Sequence, residues 1–321
     1  MPRFMSLTAR LAILLATSIG CVGLQASDVE DARVWLEKMG KALRQENYEG
    51  IFTYMRGNHF DTVKVVHQFK DGKEYERMLH LNGKKREVIQ EGDKLICKHA
   101  ASDDVDLGHE ISTGPFTHAF NENLNAYQDL YNFTFHGQDR IADRNAIKVG
   151  ITPKYHDRYG YRLWLDEETG LLLQSHLVNR GRVLEVFQFV QVDIGKPISE
   201  RDLTSALAHE SVKHELTPDI LESANSSQSK PDWKVSWVPD GFRPVHVPQA
   251  NRLLFTDGLA TFSVFVEQAG SAALPELTTQ MGGTVVLSRR LKNTAQHITV
   301  VGEVPENVAR KVAESVEPLT Y

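Results

Sequence analysis

Cysteine is scarce. The 321 residues hold two, Cys21 and Cys97, so no disulfide framework can carry the fold. Basic charge is short as well. Lys and Arg number 36 against 42 Asp and Glu, for a net charge of −6, and the basic residues are scattered, which removes the electrostatic case for nucleic acid. Long apolar runs are missing beyond residues 11–24 (LAILLATSIGCVGL), so no other stretch suits a membrane-spanning helix. Catalytic signatures are missing too: there is no Gly-rich phosphate loop and no nucleophile elbow.

The near misses fail on spacing. His209-Glu210 with His214 resembles a zinc-protease motif, but ligands five apart diverge by about 140° around a helix, whereas four apart they share a face. A polar linker helix is expected there. Asp104-Val-Asp106-Leu-Gly108 lacks the third ligand and the distant Glu of a calcium loop and reads as a solvated turn. Cys97 and His99 can share a strand face, yet nothing supplies the third group that would orient a thiol dyad, so Cys97 is expected to be structural. No metal, no cofactor and no catalytic residue is expected, and a binding protein is favoured over an enzyme.

What is there begins with a targeting segment. Residues 1–10 carry Arg3 and Arg10 and no acid, the apolar run follows, and Leu24-Gln25-Ala26 offers a small-residue cleavage site before Ser27. Residues 1–26 are therefore expected to be a signal peptide and the product to be periplasmic. Its removal takes two arginines and no acid, which brings the charge from −6 to −8 and leaves Cys97 alone. The rival is a lipoprotein site at Ser18-Ile-Gly-Cys21, in which Ser replaces the usual Leu.

Beyond Ser27 the pattern divides the chain. Ser27-Asp-Val-Glu30 is a capping box, and Ala32, Trp35/Leu36, Met39 and Leu43 at helical spacing predict an amphipathic helix over 28–46. From Tyr48 to about 99, short alternating runs punctuated by Asn82-Gly83 and Glu91-Gly-Asp93 predict an antiparallel meander. Residues 120–131 allow one more helix, and strands return over 132–193. The stretch 159–178 (YGYRLWLDEETGLLLQSHLV) is a hairpin, with Tyr161, Leu163 and Leu165 on its core face and Gly170 in the loop. Residues 196–232 end in a Ser/Asn/Gln/Lys/Pro cluster and read as a linker between a first domain at 27–195 and a second at 233–321. The second has strands expected at 253–256, 259–267, 284–291 and 297–304, then a helix opened by Pro305 with Val308, Val312 and Val316 four apart.

Several aromatics fall on strand faces that alternation leaves for solvent. Trp164 shares its face with Arg162 and Asp166, and Phe265 stands among Thr261, Ser263 and Glu267. Coverage by the protein's own helices competes with a ligand or partner surface. Phe52 and Tyr54 on the first strand, with Trp164, Phe187 and Phe189, are candidates for a surface that admits acyl chains. On the second domain Phe265 is the candidate apolar anchor for a partner, and Arg289 and Arg290 are read either as its charged neighbours or, in preference, as a solvated basic turn.

The quoted runs "NYEGIFTYMRG" (47–57), "ERMLHLNGKKREVIQEGDKLIC" (76–97), "YGYRLWLDEETGLLLQSHLVNRGRVLEVFQF" (159–189), "WVPDGF" (237–242), "FTDGLATFSVFVE" (255–267), "GGTVVLSRRL" (282–291) and "ITVVGEVP" (298–305) resemble, in order, the RseB/MucB family of periplasmic regulators of the envelope-stress sigma factor. Phe255, Asp143 and Gly283 depart from that pattern, where Tyr, Gly and Ala are usual. The resemblance implies an α+β chain. A curved, unclosed antiparallel sheet, a half barrel like the lipoprotein carriers and plugged by helices, precedes a smaller mixed α/β C-terminal domain. It also implies a partner, the periplasmic segment of a membrane-spanning anti-sigma factor of the RseA/MucA kind. That segment is shielded from its first cleaving protease until a lipid or lipopolysaccharide signal releases it. A transport carrier of lipid or lipoprotein is the alternative, no nucleic acid is implied, and homo-oligomerisation is left open.

Overall fold

The computed structural model describes residues 22–92, 94–100, 127–205, 207, 211–216, 233–245, 247, 251–268, 275–291 and 296–319, with the backbone alone for 22–31, 100 and 211–216. Helix α1 (Val22–Gln45) is followed by β1 (Tyr48–Arg56), β2 (His59–Lys70), β3 (Lys73–His80), β4 (Arg86–Glu91), β5 (Lys94–Ala100), β6 (Tyr131–Ile141), β7 (Arg144–Pro153), β8 (Gly160–Asp166), β9 (Leu172–Asn179) and β10 (Arg182–Ile194). A short helix α2 (Glu200–Leu203) and β11 (Ser211–Leu216) complete the first unit. These strands form one antiparallel sheet in the order β11-β5-β4-β3-β2-β1-β10-β9-β8-β7-β6. Two meanders thus meet at the central β1–β10 pair.

The sheet is strongly curled. Helix α1 packs against both β2 and β6, and five strands separate those two in the sheet. Six interstrand steps would hold them about 29 Å apart if the sheet were flat. The edge strands β6 and β11 do not pair, so the curl stays an open half barrel. Ala32, Leu36, Met39 and Ala42, spaced four, three and three, form the buried stripe of α1. Lys38 Nζ donates to the carbonyls of Glu167 (3.1 Å) and Glu168 (2.8 Å), tying α1 to the β8–β9 loop. Gly170 in that loop has φ +86°, and a Cβ there would come within 2.6 Å of Lys38 Cγ, so the position needs glycine twice over.

The second unit comprises β12 (Trp233–Val235), β13 (Arg243–Val245), β14 (Arg252–Thr256), β15 (Thr261–Gln268), β16 (Leu277–Met281), β17 (Thr284–Arg290), β18 (Gln296–Gly302), α3 (Glu306–Glu314) and β19 (Val316–Pro318). Six of these strands form a sheet in the order β13-β14-β15-β18-β17-β16, and β12 pairs with β19. Val308, Ala309, Val312 and Ala313 of α3 are buried in one core with Phe262, Val264, Leu287, Ile298 and Val300.

Some elements differ from the sequence expectation. Helix α1 starts before Ser27, so in the full chain that residue lies within the helix and does not cap it. Pro305 is the N-cap of α3, one place ahead of its expected position. The helix expected near 209–214 is instead β11 from Ser211 onward, because "SVKHEL" alternates and finds an open edge on β5. Of the helix expected over 120–131, residues 120–126 lie outside the described residues, Tyr127–Leu130 is a turn, and Tyr131 opens β6. Residues 1–21, Asp104–Gly108, His209–Glu210 and the linker tail at 217–232 also lie outside them.

The β6–β7 turn carries Ala142 (φ +51°) and Asp143 (φ +63°), both left-handed, between Ile141 and Arg144. This is a type I′ geometry, in which glycine at the second position is unstrained. Asp143→Gly is therefore expected to stabilise the chain by about 0.5–1 kcal/mol, read as a higher urea midpoint at constant slope. An unchanged or lower midpoint would show that Asp143 earns its place through its contact with Arg140.

Candidate functional site

Strand register sorts the candidate aromatics by face. Phe187 faces Ser175 across β9, Ser175 faces Leu163, and Leu163 faces Val149, so all four share one side of the sheet. Phe52 stands opposite Phe189 and Tyr54 opposite Phe187 on the same side. There Phe52, Phe187 and Phe189 form a triangle with ring centroids 4.9, 5.3 and 5.9 Å apart, and Tyr48 meets Phe189 edge to face at 6.3 Å. Val63, Val65, Met78 and Val88 continue the apolar surface across β2–β4. This is the floor of the half barrel's inner side, its hollow, and the three phenylalanines are buried there in the first unit's packed core. A bulge between Ile51 and Phe52 sets the register, placing Phe52 against Phe189 and leaving Val190 59% exposed.

Trp164 stands on the opposite face. Its pairs are Lys148 and Gln174, and its indole Nε1 donates to Asp139 Oδ2 at 2.9 Å. His176 lies against the ring at 4.7 Å, and Lys148 Nζ is 5.8 Å from its centroid. Neighbouring polar side chains therefore cover the tryptophan, and it does not line the hollow. The indole hydrogen bond is also the largest influence holding the Asp139 carboxyl below its usual range.

The hollow ends at the second unit. Asp257, in the turn before β15, is fully buried and accepts from Arg158 Nη1 (2.7 Å), the Tyr131 hydroxyl (2.8 Å) and the backbone amides of Leu259 (3.0 Å) and Ala260 (2.8 Å). Arg158, equally buried, is flanked by the rings of Phe242 (5.3 Å) and Tyr131 (5.6 Å) and also donates to Asp157 Oδ1 (2.8 Å) and the Asp240 carbonyl. The Tyr159 hydroxyl donates to the Val304 carbonyl at 2.9 Å. Gly258 (φ +95°) lies so close to Tyr127 that a Cβ would sit 2.3 Å from its hydroxyl oxygen.

A second contact runs straight from the aromatic floor. Tyr54 donates its hydroxyl to Glu185, and the other oxygen of Glu185 accepts the Gly283 amide at 2.7 Å from the β16–β17 turn. Burial, then the charge of Glu185, pushes the Glu303 carboxyl up to about 7, with Arg56 pulling the other way. Burial and Glu185 likewise raise Tyr54. Two acids, one arginine and a tyrosine thus share the seam between the units.

The partner candidates are divided. Phe265 is half-buried on the outer face of its sheet beneath Arg252, whose guanidinium is 5.7 Å from the ring. Arg290 shares that face and is exposed. Arg289 pairs with core residue Ile298, on the other face, and reaches Glu314 of α3 at 3.2 Å. Sequence patterns did not single out Arg158, Tyr131, Asp257, Glu185 or Glu303. The available signal was the pair of Asp-Gly turns in "WVPDGF" and "FTDGL", both of which face the first unit.

Cys97 is buried. Among the described residues no His/Cys/Asp/Glu group is arranged to hold a metal, and no helix is long and apolar enough to cross a membrane.

Comparison with known proteins gives two family matches, the MucB/RseB N-terminal domain over residues 31–207 and the MucB/RseB C-terminal domain over 227–317. The sigma factor AlgU regulatory protein MucB of Pseudomonas aeruginosa is 32% identical, over 97% of this chain and 98% of that protein. The sigma-E factor regulatory protein RseB of Haemophilus influenzae is 30% identical, over 94% and 96%. The solved complex of Pseudomonas aeruginosa MucA/MucB contains a chain that superposes with a TM-score of 0.72 at 30% identity, covering 91% of this chain and all of that one.

Proposed function

The chain belongs to the MucB/RseB family, and on that footing we propose that it is a non-enzymic negative regulator of an envelope-stress response. It works in the periplasm, where it binds the periplasmic segment of a membrane-spanning anti-sigma factor. It shields that segment from the first protease to cut it and lets go when a lipidic signal enters the hollow. A solved relative is a complex of MucB with MucA. Residues 27–195 supply the hollow and 233–321 the unit that completes the partner's seat.

The observation that carries the regulatory part is the link Tyr54–Glu185–Gly283. Tyr54 borders the Phe52–Phe187–Phe189 floor, and its hydroxyl holds the carboxylate that holds the second unit. An acyl chain that spreads the floor aromatics moves Tyr54 and loosens the seam. A ligand shifts such an equilibrium by its differential affinity for the two arrangements, so a lipid that prefers the loosened one weakens any partner that needs both units in place. A plain lipid carrier would use the same hollow but has no use for the second unit.

Lipid titrations of the full chain test the floor. Burying one aromatic is worth about 1.5–3 kcal/mol, so Phe187→Ala is expected to weaken acyl binding roughly ten- to a hundredfold. Trp164→Ala, on the opposite face, should leave it unchanged. The reverse pattern would move the acyl surface to the Trp164 side and remove Phe52, Tyr54, Phe187 and Phe189 from it.

A further inference from the structure

The eleven-stranded and six-stranded sheets have two edge strands each, and three of these four edges carry a feature that discourages a further strand. The β6 edge is broken by a bulge between Phe135 and Gln138 and carries Asp139 and Arg140. The β13 edge holds Arg243 and Pro244, and the β11 edge carries Lys213 and Glu215. Bulges, charges and proline are the usual means of blunting an edge. The fourth edge, β16, has none of them. Its sequence Leu-Thr-Thr-Gln-Met is uncharged, lacks proline, and is exposed from Thr278 to Met281.

The orientation of its backbone follows from the hairpin. Met281 and Thr284 close a two-residue turn in which Gly282 has φ +59°, the type II′ arrangement. The closing pair exchanges hydrogen bonds, and so does every second pair beyond it, which includes Thr279 with Val286. Thr278 and Gln280 therefore turn their amides and carbonyls to the open side. No described strand pairs there.

Beside Gln280 lies a cleft of about 400 Å³ that spans the two units. Asn179 and Arg180 enter from the β9–β10 turn, and Asn307 and Arg310 from α3. Arg310 pairs with Glu306 at 2.5 Å, but both are about half exposed, and such pairs are weak enough to exchange for another carboxylate.

Resting on the partner assignment above, we propose that β16 is a strand-addition edge: an extended segment of the partner pairs with Thr278 and Gln280 and sets a carboxylate between Arg180 and Arg310. Main-chain pairing supplies the affinity and the arginines fix the direction. Because the cleft needs residues of both units, the segment is gripped only while the seam is closed.

The test uses the full chain and a synthetic peptide of the anti-sigma factor's periplasmic segment. Gln280→Pro deletes an outward amide. Losing it and the adjoining bond should weaken binding about tenfold or more. Arg180→Glu with Arg310→Glu should weaken it as well and flatten its salt dependence. In the unmodified chain the amides of Thr278 and Gln280 should become protected from hydrogen exchange when the peptide binds, a readout that does not depend on how a variant folds. Unprotected amides together with wild-type affinity in Gln280→Pro overturn the edge alone. A wild-type chain that binds no such segment overturns the partner assignment and the edge with it.

Discussion

Replacing Asp257 with alanine is expected to open the seam between the two units and to cost about 3–5 kcal/mol, the loss typical of breaking a buried ion pair from one side. Removing the carboxylate takes from Arg158 its fully buried counter-charge and takes the acceptor from Tyr131 and from two backbone amides. The bond from Arg158 to Asp157 persists, but the side chain of Asp157 is 23% exposed and belongs to the first unit itself. Urea unfolding should show an early transition that is absent in the wild type, and small-angle scattering should report a larger radius of gyration. Asp257→Asn, which keeps the shape and one acceptor, should fall between the two. A single unshifted transition in Asp257→Ala would mean that the units are held elsewhere.

The second large effect is on pH. Glu303 is raised to about 7 by burial and by Glu185, with Arg56 in opposition. Tyr159 and Tyr161 face the same acid and are themselves pushed up, first by burial and then by Glu303. The closed seam therefore holds a proton between about pH 4.5 and pH 7 that the open chain has released. By linkage, stability falls as pH rises through that window and levels off above it. His67, raised through Glu74, Glu76 and the Glu46 carbonyl against the opposing effect of burial, works in the same direction, so the whole chain is not a clean reporter. Glu303→Gln isolates the seam. The variant should match the wild type near pH 5 and exceed it at pH 8 by on the order of 1–3 kcal/mol. Parallel stability curves for the two proteins would remove Glu303 from the seam's energetics.

Both effects lie at positions that sequence patterning could not reach. Alternation was enough to identify the hairpin at 159–178, its core face and the glycine of its loop, because those features are local and of period two. The face opposite was harder. The bulge between Phe135 and Gln138 inverts the parity of β6, and only that inversion puts Asp139 on the side where it meets the Trp164 indole. The bulge at Ile51/Phe52 does the same for the aromatic floor. Arg158 and Asp257 lie 99 residues apart in sequence, and neither belongs to a periodic stretch, so no spacing rule joins them. The strand β11 was hidden in a polar segment, where an edge strand and a linker share a composition. Patterns of period two and 3.6 thus found the elements, while bulges and long-range ion pairs decided which faces and which units meet.

The most direct test of the whole account is a protease-protection assay on the periplasmic segment of the anti-sigma factor, with the full chain present and an acyl lipid titrated in. Protection should be complete without lipid. It should fall in parallel with lipid occupancy of the hollow, and it should respond to much higher lipid in Phe187→Ala. Protection that persists while the hollow is saturated with lipid would contradict the coupling through Tyr54, Glu185 and Gly283 on which the proposed function rests.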